Sequence, residues 1–161
     1  MNTRQPPSSP EIVTRYLEYF RARDHLELPG MALAAPGLTT SFVIAGMQPM
    51  IPYLRGAVPP PYPRLTASQR CLRTDDADAV GTNGRKCTSF HMLGNWSIGD
   101  YGRRAAMEMA LDLLDTLGLD RTTLWITYFA GDETLGLPED TATVAEWRRL
   151  GIPAERLVGL G

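Results

Sequence analysis

The sequence predicts an α+β fold in which an antiparallel sheet is flanked by helices. Two observations predict it. Residues 62–73 and 87–98 read as extended chain on either side of a polar loop, a pattern typical of an antiparallel hairpin. Residues 10–24 and 100–117 place apolar side chains at helical spacing, so each segment can cover a sheet with one face. The predicted order is helix, strand, hairpin, helix, strand, helix.

The composition favours one soluble domain. Of the 161 residues, 43% are hydrophobic, which suffices for a buried core. The 16 basic and 18 acidic residues leave a net charge of -2, which argues against a strongly basic nucleic-acid module. No segment has the pattern of a membrane span or signal peptide, so we expect a cytoplasmic location and no membrane partner. We expect a disordered leader over residues 1–9 and one domain over residues 10–161.

The first helix is expected to start near Pro10 and to end near Asp24. Ser8 and Glu11 have the spacing of a capping box, which marks a helix start. A short extended stretch follows at residues 26–28. The apolar stripe of this helix comprises Ile12, Val13, Tyr16, Leu17 and Phe20.

The middle of the sequence is rich in extended segments. Residues 38–53 contain a predicted buried strand, at residues 41–47, that runs into a glycine turn. The strand at residues 62–73, the polar loop at 74–86 and the returning strand then make the hairpin.

The clearest helix is predicted over residues 100–117. Asp100 is positioned to cap its start, and Gly118 follows its last turn. The predicted buried face of this helix comprises Ala106, Met109, Ala110, Leu113, Leu114 and Leu117.

The last part of the sequence predicts one strand and one helix. A strand is expected at residues 124–129, and a helix at 141–150 that Gly151 ends. Residues 153–157 are expected to start a further turn. His25 is expected to be a structural histidine with satisfied hydrogen bonds. Core packing is the expected role of Trp96, Trp125 and Trp147.

Four cations surround the predicted hairpin loop. Arg70 and Arg73 end the outgoing strand, and Arg85 and Lys86 lie where the chain returns. Such a cluster suits a polyanion such as a triphosphate. The loop also contains three acids that oppose this field, so a solvated hairpin with surface ion pairs remains the alternative interpretation. These acids are Asp75, Asp76 and Asp78.

Metal binding is not predicted. Cys71, Cys87 and His91 are too few for a structural zinc site, and we interpret them as two reduced thiols and a strand histidine. Lys86 is the only lysine and lacks the glycine-rich context of a P-loop.

Two segments resemble a known family. Residues 69–76 read Gln-Arg-Cys-Leu-Arg-Thr-Asp-Asp, and residues 92–101 read Met-Leu-Gly-Asn-Trp-Ser-Ile-Gly-Asp-Tyr. With Ala-Gly-Met at residues 45–47, they resemble the alanyl-tRNA synthetases, which are class II aminoacyl-tRNA synthetases. The resemblance covers residues 10–161 and extends over the N-terminal part of the family's catalytic domain only.

The resemblance implies a class II synthetase-like sheet and ATP-dependent activation of alanine. The reaction gives alanyl-adenylate and pyrophosphate, uses ATP with Mg²⁺, and passes alanine to tRNA(Ala). The hairpin resembles class II motif 2, whose arginine holds the α-phosphate of ATP and the amino-acid carboxylate, which implies that Arg73 is the catalytic residue. Phe90 occupies the position that stacks the adenine, with a core strand aromatic as the alternative. Arg85 and His91 complete the implied ATP-binding set.

The sequence also departs from the family. Residues 85–92 read Arg-Lys-Cys-Thr-Ser-Phe-His-Met where members have Arg-His-His-Thr-Phe-Phe-Glu-Met. The imidazole of His91 does not replace a carboxylate acceptor, so we expect altered nucleotide binding.

Family members continue past the position of Gly161 into the alanine pocket, motif 3 and the tRNA-binding regions. We therefore expect the fold to be incomplete and autonomous aminoacylation to be absent, with tRNA(Ala) used only if other regions are supplied. Three hypotheses follow. A second copy or a complementing chain completes an enzyme; the chain is a non-catalytic truncated paralogue acting as a binding or assembly module; or it activates an amino acid for a non-tRNA acceptor.

Overall fold

The structure, a computed structural model, describes residues 7–37, 39–75, 77–82 and 84–161. The chain divides into two units, Met1–Asp100 and Tyr101–Gly161. Each unit combines helices with a small sheet, which confirms the predicted α+β class. Residues 1–6 of the predicted leader, and Asp76 of the predicted acidic loop, lie outside the described residues.

The first unit opens with helix α1, Ser9–Arg21. The predicted capping box is confirmed, because the Ser8 backbone N–H donates to the Glu11 carboxylate over 2.7 Å. The helix ends before Asp24, whose backbone is left-handed with φ of 62°. Its buried face comprises Tyr16, Tyr19 and Phe20.

The sheet of the first unit has three strands, which are β1 (Leu26–Glu27), β2 (Arg64–Leu72) and β3 (Ser89–Ser97). Strands β2 and β3 pair antiparallel along their whole length, so the predicted hairpin is confirmed. Strand β1 pairs with β2 in parallel. Helix α1 packs against β2 and β3, and Tyr16 donates from its hydroxyl to Asn95 Oδ1 over 2.9 Å.

The prediction of a strand at residues 41–47 is wrong, because the structure has no strand there. Val43 is fully buried, as a strand residue would be, but it makes single backbone hydrogen bonds to Leu33 and Leu72 rather than a ladder. The Gln48 side chain accepts from the amides that follow Val43, which removes them from strand pairing. The chain then turns through Gln48–Met50 into helix α2, Ile51–Leu54.

The second unit contains two helices and two strands: α3 (Arg103–Thr116), β4 (Ile126–Phe129), α4 (Thr141–Arg149) and β5 (Leu157–Leu160). Strands β4 and β5 form a parallel pair. The predicted helices and the first of these strands are confirmed. The turn expected at residues 153–157 is present as a short 3-10 turn, Ala154–Arg156. It leads into strand β5, which was not predicted.

Three finer expectations for this part of the chain are wrong. Asp100 does not cap α3; Gly102 holds the cap position, and Asp100 instead forms an ion pair with Arg64 at 2.8 Å. Trp125 is not a core residue, because 64% of its surface is exposed. The buried residues of α3 are Met107, Leu111 and Leu113, of which only Leu113 belongs to the predicted buried face.

Among the described residues, no helix combines the length and the apolar character needed to cross a membrane.

Candidate functional site

The loop end of the β2–β3 hairpin forms a pocket of about 380 Å³ that we call the cationic pocket. It lies beyond the last residues of β2 and before the first residues of β3, where the polar loop joins the two strands. The pocket therefore concentrates positive charge on a chain whose overall charge is -2. Its lining residues are Arg73, Arg85, Lys86, Cys87 and Phe90.

Arg73 is held in place by several neighbours. Its backbone N–H donates to the Thr88 carbonyl over 2.8 Å, which extends the hairpin pairing past β2. Its Nε donates to the Ile44 carbonyl over 3.0 Å, and its guanidinium carbon lies 5.2 Å from the centre of the Phe90 ring. In the described part of the chain, Arg73 forms no salt bridge. Its terminal nitrogens can therefore donate to an anion in the pocket.

Phe90 lies on β3 opposite Cys71 of β2, and it is half-buried. The ring lies beside the Arg73 guanidinium, a cation–π arrangement that orients both groups. A half-exposed aromatic ring beside cations is suited to stack on a nucleobase. The structure thus brings together three of the four residues that the sequence nominated for nucleotide binding, namely Arg73, Phe90 and Arg85.

His91 is the fourth nominated residue, and it does not line the cationic pocket. Successive side chains of a strand point to opposite faces, so His91 is directed away from the face of its neighbour Phe90. It lines a second pocket of about 420 Å³ together with residues of α1, including Ile12, and Phe90 lines both pockets. Arg70 is its cross-strand partner, is exposed, and does not line the cationic pocket either.

The acids of the loop do not neutralise Arg73 within the described residues. Asp75 and Asp78 are exposed, and Asp75 lines a different pocket, of about 220 Å³, next to Ile44. The alternative of a hairpin stabilised by surface ion pairs stays a prediction, because the contacts given for Arg73 concern this one residue. That arginine is held by a carbonyl and an aromatic ring.

The two cysteines lie in different environments. Cys71 is fully buried on β2, and this burial raises the pKa of its thiol. Cys87 is an exposed free thiol at the cationic pocket. Across the described ranges, no three His, Cys, Asp or Glu side chains are grouped so as to hold a metal ion.

Two residues that hold Arg73 in place were not predicted from the sequence. Ile44 supplies the carbonyl for its Nε, and Gln48 accepts from the backbone N–H of the same residue over 2.7 Å. Neither residue is distinguished by spacing or by charge, so the only signal was their position beside the Ala-Gly-Met segment at residues 45–47.

The fold and the arginine-bearing hairpin define a class of protein. A family model described as class II tRNA synthetases (A) matches residues 11–161, so the chain belongs to the class II tRNA synthetase family. Within that family, its relatives are alanine–tRNA ligases, which confirms the resemblance seen in the sequence.

Three relatives show the extent of this similarity. The chain is 43% identical to the alanine–tRNA ligase of Kocuria rhizophila over 160 residues, which is 95% of this chain and 17% of that relative. It is 40% identical to the enzyme of Leifsonia xyli subsp. xyli over 94% of this chain and 17% of the relative. It is 46% identical to the enzyme of Bifidobacterium longum over 76% of this chain and 14% of the relative. The chain thus spans about 17% of the length of the first of these relatives.

Proposed function

We propose that the cationic pocket binds ATP and that the chain contributes the motif 2 part of an alanine-activating site. The observation that carries this proposal is that the Arg73 side chain is held in place without a carboxylate partner among the described residues. Its guanidinium is fixed by the Ile44 carbonyl and the Phe90 ring, yet no carboxylate among the described residues pairs with it. A pre-oriented guanidinium of this kind suits phosphate binding.

The proposed step is adenylate formation. The carboxylate oxygen of alanine attacks the α-phosphorus of ATP, and the bond from that phosphorus to the bridging oxygen of pyrophosphate breaks. Negative charge grows on the equatorial oxygens of the α-phosphate. Arg73 neutralises this charge without reorganising, because the guanidinium is already held in place. Two parallel hydrogen bonds from a guanidinium can also orient the attacking carboxylate.

The other residues of the cationic pocket have complementary roles in this proposal. Phe90 stacks the adenine ring. Arg85 and Lys86 are exposed at the pocket and face the β- and γ-phosphates, where their charge is most useful. We assign no nucleotide contact to His91, because it does not line the cationic pocket.

Mg²⁺ enters this proposal as part of the substrate, MgATP. Magnesium is commonly held by substrate phosphates with one or two carboxylates, rather than by a dedicated cluster of protein ligands.

Transfer of alanine to tRNA(Ala) is the next part of the proposal. It rests on the names of the relatives, of which this chain spans a minor share. Two alternatives predict different outcomes. A binding or assembly module binds ATP without exchange, and an enzyme with a non-tRNA acceptor shows exchange without charging tRNA.

The test compares two arginines of the same hairpin. We expect Arg73→Ala to weaken ATP binding at least about tenfold in calorimetry and to abolish alanine-dependent exchange of pyrophosphate into ATP. Arg70→Ala is the matched control, because it removes the same charge from β2 outside the cationic pocket. It should change the ATP dissociation constant less than about twofold. Equal losses in both variants would contradict the assignment of Arg73, as would unchanged binding in Arg73→Ala.

A further inference from the structure

Gln48 organises the segment that precedes helix α2. Its Oε1 accepts from the backbone N–H of Ile44 over 2.7 Å and from that of Ala45 over 3.3 Å. Its Nε2 donates to the hydroxyl oxygen of Thr40 over 3.1 Å, and that hydroxyl donates to the Phe42 carbonyl over 2.5 Å. One amide side chain therefore satisfies donors that a strand ladder would otherwise use. It also ties the two ends of this segment together.

The same segment anchors Arg73. The Ile44 carbonyl accepts from Arg73 Nε over 3.0 Å, while the Ile44 amide donates to Gln48. Ile44 is thus bonded on one side to the glutamine and on the other to the arginine. A displacement of its peptide planes would move the anchor of the guanidinium, whose terminal nitrogens share one rigid plane with Nε.

A third contact joins this segment to β3. The Gly46 N–H donates to Met92 Sδ over 3.1 Å, and an added Cβ at Gly46 would approach the Met92 side chain to 3.4 Å. Met92 is two residues from Phe90 on the same strand, so the two share a face. The segment, the arginine and the aromatic ring therefore form one connected set.

We propose that Gln48 is a positioning residue for Arg73. It fixes the Ile44 carbonyl, and thereby the plane in which Arg73 presents its guanidinium to the cationic pocket. The inference rests on the proposed function, because the orientation matters for catalysis only if Arg73 binds the α-phosphate. Loose positioning of a charged donor weakens its bond to an anion and also misdirects the attacking group.

Two variants of Gln48 separate positioning from packing. Gln48→Met keeps the length of the side chain and removes the amide, whereas Gln48→Glu keeps an Oε acceptor for the two backbone amides. The readout is the Arg73 Nε–H signal in ¹⁵N-edited NMR of the nucleotide-free chain, assigned by its loss in Arg73→Lys. In Gln48→Met this signal should move to the position of a solvent-exposed arginine and exchange faster, while Gln48→Glu should retain it.

Binding of ATP gives the second readout. Calorimetry should show that Gln48→Met weakens ATP binding by about fivefold, the effect expected from one misplaced charge-assisted hydrogen bond. Thr40→Val, which removes the hydroxyl that receives Gln48 Nε2, is a milder second variant. It should shift the Arg73 signal in the same direction by a smaller amount, and it decides the question if Gln48→Met fails to fold.

Tyr16→Phe is the control for simple destabilisation. It removes a hydroxyl that donates to Asn95 between α1 and β3, and Tyr16 does not line the cationic pocket. It should lower Tm while leaving the Arg73 signal and the ATP affinity unchanged. If Gln48→Met behaves like Tyr16→Phe, the positioning role is overturned. If the unaltered chain does not bind ATP, the proposed function fails, yet the NMR signal still supports or overturns the positioning role.

Discussion

At the scale of single residues, strand alternation decides which members of the hairpin share a site. Arg73 and Phe90 are far apart in sequence, yet the antiparallel register brings the guanidinium within 5.2 Å of the ring centre. His91 is the immediate neighbour of Phe90, and both line the pocket beside α1, but only Phe90 also lines the cationic pocket. Arg70 lies opposite His91 and outside the cationic pocket. The face of the sheet and the register of the two strands therefore decide which side chains line the cationic pocket. Charge and proximity in sequence predict this less well.

His25 illustrates a residue whose role was predicted correctly. It is buried, its Nδ1 bonds to the Arg23 carbonyl over 2.9 Å, and its ring meets Phe20 edge-on at 4.9 Å. Burial lowers the pKa of His25 below its ordinary value, so the folded chain holds this proton less tightly than the unfolded chain does. The unfolded chain then binds more protons near and below the ordinary histidine pKa of about 6.5.

The folded state should consequently lose stability on mild acidification. We expect the free energy of unfolding to fall as the pH is lowered from about 7.5 to about 5.5, because the unfolded His25 takes up a proton that the folded one does not. Urea titrations at several pH values measure this dependence. His25→Gln should remove most of the slope, although it lowers stability at every pH.

His91→Gln is the matched control for this titration, because His91 is the other histidine of the chain and is exposed. It should leave the slope almost unchanged. Carboxylates with lowered pKa values, such as Glu11, also stabilise the folded state. They lose this contribution only at a lower pH than His25 does, because the pKa of a carboxyl group in the unfolded chain is lower than that of a histidine. An equal effect of both substitutions would show that burial of His25 is not the cause of the slope.

At the scale of elements, the sequence predicted the hairpin and the helices because each has a local signal. Alternation and a polar loop mark the hairpin, and Ser8 with Glu11 marks the start of α1. The false strand at residues 41–47 had the composition of a strand. It could not be corrected from sequence, because the Gln48 amide that competes for the backbone donors acts only through the folded geometry.

Helix α4 depends on a cap that serves two elements. Asp140 accepts from the Thr143 backbone N–H over 3.1 Å and pairs with Arg103 of α3 at 2.8 Å. Its hydrogen bonds to Thr143, and then the charge of Arg103, lower the pKa of Asp140. The ionised cap therefore stabilises the folded state at pH values above the ordinary pKa of an aspartate. This stabilisation is lost as the pH falls through the lowered pKa of Asp140. Asp140→Ala should therefore lower Tm by several degrees at neutral pH.

Asp140→Asn and Glu133→Ala test the cause of that loss by the same thermal melts. Asparagine is as good a helix cap as aspartate but cannot pair electrostatically with Arg103, so its effect should be smaller than that of alanine. Glu133 is an exposed acid of the same unit, and its removal should leave Tm nearly unchanged. A loss in Glu133→Ala comparable to that in Asp140→Ala would point to net charge rather than capping.

At the scale of the whole molecule, the sequence predicted the class of fold and the family better than it predicted the site. The matched segment, residues 11–161, agrees with the extent of the resemblance seen in the motifs. The pairing of β5 with β4 was missed, because a short strand after a 3-10 turn has no periodicity of its own. The second pocket at His91 was missed because it depends on where α1 packs.

The balance of charge over the whole molecule makes a final prediction about how ATP is recognised. The chain has a net charge of -2, so its overall field does not attract a polyanion, and attraction must come from the cationic pocket. Salt screens that local field, whereas the proposed stacking of the adenine on Phe90 is insensitive to salt. Raising NaCl from about 50 mM to about 300 mM should weaken ATP binding severalfold and leave adenosine binding nearly constant in calorimetry.

In Arg73→Ala the dependence of ATP binding on salt should be shallower than in Arg70→Ala. Parallel dependences for ATP and adenosine would mean that the phosphates lie outside the cationic pocket.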